Sequence, residues 1–311
     1  MLGGNFLSKI VLNQRGKLSD NTAITIGVFD GVHLGHKYLI NKLIQNKNTS
    51  KLSCGIVTFD PHPIQILRPD LNFKCLQSLE GRVRRLEQTG IDFISVVKFD
   101  HLLSQLTAQD FLKELKEQLN FQLLVVGEDF RLGKNQEGDI AQLSTISNEL
   151  EFSIQKIPLQ SDSKAKFSSS QIREFITNGN IDKANRILGT SFTIDGMVES
   201  GEKRGRQLGF PTINLSLSPD LIIPKKGVYA SVTKIDGDEY KSIVNVGTRP
   251  TFGVDKILAE SHLFDYNGNA YDKEVTISLL EFIREEIQFN NKDQLINQIN
   301  HDVKTVKRLL N

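Results

Sequence analysis

The chain has 311 residues, and its 38 Lys and Arg nearly balance its 37 Asp and Glu. This length suffices for about two domains of ~150 residues, and the charge balance removes the electrostatic basis for dedicated nucleic-acid binding. The two cysteines, Cys54 and Cys75, are too few for a disulfide framework or a four-ligand zinc site. No apolar run reaches the ~20 residues of a membrane span, and the first residues lack a secretory-signal pattern. We therefore expect a two-domain cytoplasmic protein with no nucleic-acid or membrane partner.

Strand-like and helix-like segments alternate through the first half of the chain. Strands are predicted over Thr22–Phe29, Leu52–Phe59, Ile91–Phe99 and Phe121–Val126, and helices over Gly31–Ile44, Leu79–Gln88 and Thr107–Leu119. The last helix has an N-cap candidate in Thr107 and one apolar stripe formed by Ala108, Phe111, Leu112, Leu115 and Leu119. Because the strands are continuous apolar runs, the pattern predicts an α/β doubly wound parallel sheet with helices on both faces.

The pattern changes near residue 188, which divides the chain into domains 1–186 and 187–311. Short β-rich segments then follow one another closely, over Phe192–Val198, Gly227–Lys234, Lys241–Val246, Leu258–Phe264 and Val275–Ile283. This spacing predicts an antiparallel β-barrel or sandwich. From Asp293 the chain is expected to form an amphipathic C-terminal helix, with an apolar side made of Leu295, Ile299, Val303, Val306 and Leu310.

The sharpest local motif is GVFDGVHLGH over residues 27–36, where the first strand meets the first helix. A helix N-terminus attracts phosphate, and glycines such as Gly27 and Gly35 let the backbone approach a ligand. His33 and His36 are three residues apart and share one face of the first helical turn. Two imidazoles there can stabilise charge on a polyphosphate, whereas a lone histidine would more often be a packing residue.

This motif resembles the signature of HxGH nucleotidyltransferases, and three later segments narrow the family. They are TFDPHP at residues 58–63, VGEDFRLG at residues 126–133 and SSSQIR at residues 168–173. Together they resemble the adenylyltransferase half of bacterial bifunctional riboflavin kinase/FAD synthetases. The resemblance implies a Rossmann-like first domain that catalyses attack of the FMN phosphate on the α-phosphate of ATP, with pyrophosphate leaving.

The resemblance also implies roles for individual side chains of the first domain. His33 and His36 are the expected catalytic residues, and the nucleotide is expected to contact Gly27, Phe29, Asp30, Gly35, Asp129, Ser169, Ser170 and Arg173. Asp129 is either a polar contact to the nucleotide or magnesium, or a cap of its own loop. Flavin is expected beside Phe59, Pro61 and Pro63, and His62 between the prolines is interpreted as structural.

A second glycine-rich segment opens the other half of the chain. It carries glycines and basic residues suited to folding over a triphosphate, Gly201, Lys203, Gly205, Arg206 and Gly209, but it lacks the Walker pattern. Thr212 and Asn214 follow two residues apart. On a strand both side chains would lie on one face, where a hydroxyl and an amide oxygen can bind Mg²⁺ beside phosphate oxygens.

Three further segments resemble the riboflavin kinase module in order and spacing, NVGTRPTF at residues 245–252, ESHLFD at residues 260–265 and FIREEIQF at residues 282–289. Glu260 stands where that module has its catalytic base. Alone, a glutamate in a strand would be read as a solvated carboxylate. Arg284 and Glu285 are interpreted as an ion pair that holds the last helix.

The resemblance predicts a flavin cofactor synthase, with an antiparallel β-barrel kinase domain and a C-terminal helix following the nucleotidyltransferase domain. Its substrates would be riboflavin, FMN and ATP, with Mg²⁺ as the cofactor that accompanies ATP. Two alternatives stay open: an HxGH transferase for another small phosphorylated substrate with a sensor barrel, and a flavin- or nucleotide-binding regulator without turnover. The sequence carries no signal for the oligomeric state.

Overall fold

A computed structural model describes residues 7–12, 21–158, 161–162, 165–199, 205, 208–251 and 254–310. The chain divides after Ser169 into two compact units. This structural division falls at the first residue of a helix. The boundary predicted between residues 186 and 187 separates the two functional domains, and it stays a prediction.

The first unit is built on a six-stranded sheet. Its strands are β1 (Leu7–Leu12), β2 (Thr22–Ile26), β3 (Ser53–Asp60), β4 (Phe93–Lys98), β5 (Phe121–Gly127) and β6 (Ser153–Ile157). Their order across the sheet is β1-β4-β3-β2-β5-β6, and all neighbours run parallel except β1, which is antiparallel to β4. From β2 the strands β3 and β4 are added on one side of the sheet, and β5 and β6 on the other. This reversal between β2 and β5 is the doubly wound arrangement. The predicted fold class is confirmed.

Helices cover both faces of this sheet. They are α1 (Leu34–Ser50), α2 (Pro63–Leu67), α3 (Leu79–Glu87), α4 (Ala108–Leu119) and α5 (Ile140–Glu149). A short strand pair, β7 (Ser161–Asp162) and β8 (Ala165–Lys166), follows later in the chain. One apolar core joins Ile24 of β2 to buried residues of α4 and α5, and the other joins Ala23 to buried residues of α1 and α3. Neighbouring residues of one strand thus enter opposite cores, which explains the continuous apolar runs.

Local signals account for some element boundaries and not for others. Thr107 caps α4 by accepting a hydrogen bond from the Asp110 amide, and the five predicted stripe residues are buried. Helix α1 begins only at Leu34, because residues 31–33 form the preceding turn and cap, and it continues to Ser50, beyond the predicted end at Ile44. Strand β6 and helix α5 were not predicted, since the β6 sequence SIQKI is polar and mostly accessible.

The second unit is a nearly closed antiparallel barrel. It contains helix α6 (Ser169–Thr177) apart from its first residue, and then α7 (Ile181–Leu188), β9 (Phe192–Met197), β10 (Ile213–Ser216), β11 (Gly227–Ile235), β12 (Asp238–Thr251), β13 (Val254–Leu263), β14 (Glu274–Arg284) and α8 (Lys292–Leu309). The strand order is β10-β13-β12-β11-β14-β9, with antiparallel pairs throughout. A bridge between Glu199 and Asn214 connects the segment after β9 to β10 and nearly closes the barrel.

The C-terminal helix α8 packs on the outside of the barrel. Its Val306 is buried against apolar residues of β11, β12 and the segment after β13. Arg284 at the end of β14 donates from Nε and Nη2 to Asp302 Oδ2 of α8, at 2.9 and 2.7 Å. Glu285 instead pairs with Lys225 at 2.7 Å. The predicted Arg284–Glu285 pair is therefore wrong, because Arg284 holds the helix through Asp302.

Candidate active sites

The turn between β2 and α1 has an unusual backbone. Phe29, Gly31 and Val32 have φ angles of 55°, 88° and 45°, a region that aromatic and β-branched residues rarely occupy. Two contacts from distant segments hold the turn in place. The buried Asp30 carboxylate accepts from the Leu76 amide at 3.0 Å, and the Asp30 carbonyl accepts from the Ser169 hydroxyl at 2.7 Å. Asp30 and Ser169 thus fix the turn itself.

The two histidines of the motif are stacked on each other. Their ring centroids are 3.6 Å apart with 18° between the planes. His33 is the N-cap of α1, and its Nδ1 accepts from the His36 amide at 3.3 Å. In the neutral ring the proton of His33 therefore sits on Nε2. A Cβ at Gly35 would lie 3.2 Å from Nδ1 and Cε1 of His33, which explains the glycine between the histidines.

His36 is held as a neutral imidazole. Burial, and then the neighbouring His33 ring, keep the pKa of His36 well below 6.5. Its ring meets Phe29 edge-on at 5.1 Å, and its Nδ1 has no hydrogen-bond partner among the residues that the structure describes. A bound polyphosphate would oppose this pKa shift, since a nearby negative charge favours the protonated ring.

A cavity of about 320 Å³ opens beside the histidines, at the carboxyl ends of β2 and β5. This is where doubly wound sheets bind ligands. The cavity brings together seven of the predicted residues, Gly27, Phe29, His33, Gly35, His36, Asp129 and Ser169. Asp129 is exposed on the loop after β5, and its predicted role stays open. Ser170 and Arg173 lie on α6 beyond the division of the chain, so their phosphate contacts stay predictions.

A second cavity of the first unit has a lining with three phenylalanines and several leucines, beside a few polar residues. Its volume is about 480 Å³, and its lining includes Phe59, Phe99, Phe111, Leu103 and Leu132. Pro61 lies in the loop after β3, and Pro63 is the first residue of α2. His62 caps α2 by accepting from the Ile64 amide at 3.2 Å, which agrees with its structural interpretation.

A cavity of the barrel unit lies beside the start of β10. It has a volume of about 620 Å³, and Thr212, Asn214, Tyr266, Asn267 and Asn269 are among its lining residues. A Cβ at Gly205 would come within 2.4 Å of the Phe210 carbonyl oxygen, and Gly209 has a φ of 87°, so both positions require glycine. Gly201, Lys203 and Arg206 lie outside the described residues.

Glu260 lies at the middle of a polar row across three strands. It is the register partner of Asn214 on β10 and of Asn245 on β12. Directly opposed residues have Cβ atoms about 5 Å apart, so the three side chains are neighbours on one face. Asn245 also donates to Glu286 at 3.3 Å. Glu260 itself does not line the 620 Å³ cavity but stands next to Asn214, which does.

His262 is a site residue that the sequence interpretation missed. Its Nδ1 lies 2.8 Å from the Pro211 carbonyl oxygen, directly before Thr212. The ring packs edge-on against Phe210 and Phe264 at 5.7 and 5.6 Å. Its position two residues after Glu260 on the same strand face was the available signal. The contact holds the segment that presents Thr212 to the cavity.

Known proteins match both units. Residues 16–171 match the family model for FAD synthetase, and residues 188–310 match the model for riboflavin kinase. A bifunctional riboflavin kinase/FMN adenylyltransferase of Buchnera aphidicola subsp. Schizaphis graminum is 34% identical over 95% of this chain and 96% of the relative. The chain belongs to this bifunctional family. Family members from Listeria monocytogenes and Escherichia coli K12 are 34% and 33% identical, over 91% and 93% of this chain and 90% and 92% of their own.

A solved structure has the same fold. A Streptococcus pneumoniae chain described as a macrolide-efflux protein aligns with a TM-score of 0.85 and 29% identity, over 96% of this chain and 97% of that one. In the described part of the present chain, no helix is long and apolar enough to cross a membrane.

Membership of the riboflavin kinase/FMN adenylyltransferase family confirms the family and the pair of activities predicted from the sequence. The residues that match FAD synthetase contain the stacked histidines and their cavity. Those that match riboflavin kinase contain Thr212, Asn214 and Glu260. Each matched region therefore contains at least one of the described cavities.

Proposed function

We propose that the barrel unit phosphorylates riboflavin with ATP to give FMN and ADP, and that the first unit transfers AMP from a second ATP to FMN, giving FAD and pyrophosphate. The observation that carries this proposal is the stacked His33–His36 pair, which faces a cavity at the switch point of a doubly wound sheet within the FAD synthetase match. Neither step needs a protein nucleophile, since a substrate oxygen attacks phosphorus in each.

In adenylyl transfer, an FMN phosphate oxygen forms a bond to the α-phosphorus of ATP while the bond to pyrophosphate breaks. Because the Nδ1 of His33 accepts from the His36 amide, we assign the donor to a phosphate oxygen to the Nε2–H of the same ring. His36 supplies the second imidazole of the pair. Donors of this kind stabilise the charge that grows on phosphate oxygens, and orientation of the two substrates supplies much of the remaining acceleration.

The flavin ring belongs in the aromatic cavity in our proposal. Phe59 and Phe99 meet edge-on at 5.8 Å and present apolar surface to this 480 Å³ space. Pro61 and Pro63 stand two and four residues after Phe59, and they are proposed to shape the segment next to the cavity, although neither is among its lining residues. An apolar ring system binds such a lining by burying apolar area, with few polar contacts needed for orientation.

In riboflavin phosphorylation, Glu260 takes the proton of the ribityl 5′-hydroxyl as that oxygen attacks the γ-phosphorus of ATP, and the bond from the γ-phosphorus to the leaving ADP breaks. Thr212 and Asn214 fit Mg²⁺ because they bring a hydroxyl and an amide oxygen to the same cavity, and oxygen donors suit this cation. When bound with ATP, Mg²⁺ neutralises phosphate charge. Gly201, Lys203, Gly205, Arg206 and Gly209 are proposed to cover the triphosphate.

The proposed functional domains are residues 1–186 and 187–311, and the proposed compartment is the cytoplasm. Cys54 and Cys75 are both free thiols, which is typical of a reducing compartment. ATP as the substrate of both steps supports the same location.

A time course with riboflavin, ATP and Mg²⁺, resolved by chromatography of the flavins, tests the proposal. FMN should accumulate first, and FAD and pyrophosphate should follow. His36→Ala and Glu260→Gln serve as reciprocal controls, the first stopping at FMN and the second making FAD only from added FMN. FMN as the final product of the wild type would contradict the assignment of the first unit. Unchanged riboflavin would contradict that of the barrel.

A further inference from the structure

A buried arginine connects the ends of the two central strands of the first unit. Arg82 of α3 is only 4% exposed. Its Nη1 donates to the Val28 carbonyl oxygen at 3.1 Å, and its Nη2 donates to the Phe59 carbonyl oxygen at 2.8 Å. Val28 directly precedes the turn that carries the histidines, and Phe59 is the residue before the last one of β3, two residues ahead of Pro61. One guanidinium therefore spans the two segments that border the two cavities.

The surroundings of Arg82 keep its charge in place. Burial lowers the pKa of Arg82, and the nearby carboxylates of Asp30 and Asp60 oppose that effect, so the guanidinium stays protonated. The Asp60 carboxylate lies 3.7 Å from Nη2. Two nitrogens of one planar group fix two carbonyls at a set separation, which a single lysine ammonium does not do.

We propose that Arg82 is a positioning residue for adenylyl transfer, setting the separation between the histidine turn and the loop that follows Phe59. The inference rests on the proposed function of the first unit. The phosphate of one substrate has to reach the α-phosphorus of the other, and a displacement of about 1 Å between bound reactants costs on the order of 10²-fold in rate. Arg82 touches neither reacting group; it acts through the Val28 and Phe59 carbonyls.

The Val28 carbonyl has a second donor, which offers an independent way to disturb the same link. The buried Thr58 hydroxyl donates to it at 2.9 Å. Thr58→Val keeps the volume and leaves Arg82 as the remaining donor. If Arg82 is a positioning residue, Thr58→Val should also lower kcat for FAD formation, but by less than Arg82→Lys does.

The test measures kcat and KM for FAD formation from FMN and ATP in the full-length chain, for Arg82→Lys and for Arg84→Lys as a matched control. Arg84 lies on the same helix and is exposed. Riboflavin phosphorylation in the same samples is an internal standard, and circular dichroism gives the folded fraction. We expect kcat for FAD formation to fall about 10- to 100-fold in Arg82→Lys with KM for ATP within about twofold, and no change in phosphorylation or in Arg84→Lys.

A wild-type kcat in folded Arg82→Lys, or a loss that only follows the unfolded fraction, would overturn the inference. If that variant does not fold, Thr58→Val decides the question: a kcat reduced about threefold or more at unchanged KM supports the role, and a wild-type kcat overturns it. A wild-type chain that makes no FAD from FMN would instead overturn the proposed function.

Discussion

His33 has two separable tasks, and substitution can divide them. Its Nδ1 caps helix α1, and its Nε2–H is the donor to phosphate in the proposed function. Loss of an N-cap acceptor costs about 1 kcal/mol of stability, within a range of about 0.5–2 kcal/mol. Loss of one charge-stabilising donor costs about 10²–10³-fold in rate, or about 2.7–4 kcal/mol in the barrier. His33→Ala removes both functions, whereas His33→Asn keeps a good cap acceptor and removes the imidazole.

We therefore expect both variants to lose FAD formation by about 10²–10³-fold, and only His33→Ala to lose about 1 kcal/mol in free energy of unfolding. Denaturant unfolding followed by circular dichroism gives the stability, and release of pyrophosphate from FMN and ATP gives the rate. Ser78→Ala is the matched control, because Ser78 caps α3 at 3.1 Å without an imidazole. Full activity in His33→Asn, or wild-type stability in His33→Ala, would refute this division of tasks.

Three other outcomes are expected. Glu260→Gln should slow riboflavin phosphorylation by about 10²–10⁴-fold while FAD formation from supplied FMN continues. Equal losses in both assays would contradict the role of Glu260 as general base. Since the pKa of His36 lies well below 6.5 when folded, only the unfolded chain takes up its proton as the pH falls through 6.5. The free energy of unfolding should thus fall with falling pH more steeply in the wild type than in His36→Gln. Parallel curves for the two proteins would count against a lowered pKa of His36. Burial raises the pKa of Cys54 to about 11, so alkylation near pH 8 should modify Cys75 alone in the folded chain, as mass spectrometry of the labelled peptides would reveal.

The fold was predictable where short-range signals and burial agree. Helix α4 has a threonine cap and an apolar stripe, and both determine its place directly from the residues. The start of α1 was less predictable because a histidine is an unusual N-cap, so the turn before it resembled helix. Strand β6 at the sheet edge has too few buried residues to show a strand pattern.

The site was predictable in its reactive groups and not in their supports. His33, His36 and Thr212 belong to local motifs, and the structure places each in a cavity. Arg82 gives no such signal, since it contacts carbonyls 54 and 23 residues away along the chain. His262 likewise reaches back 51 residues to Pro211. Contacts of this range depend on the tertiary fold, and residue spacing does not encode them.

The central place of β2 has a consequence for the lifetime of the adenylyl site. All five residues of β2 are buried, and the strand lies between β3 and β5, so its amides are protected on both sides. Such amides exchange with solvent deuterium only when the whole unit opens, whereas edge strands exchange through local fraying. The histidine turn follows β2 directly. Partial opening at β1 or β6 therefore leaves β2 paired on both sides, and the strand from which the histidine turn starts stays in place.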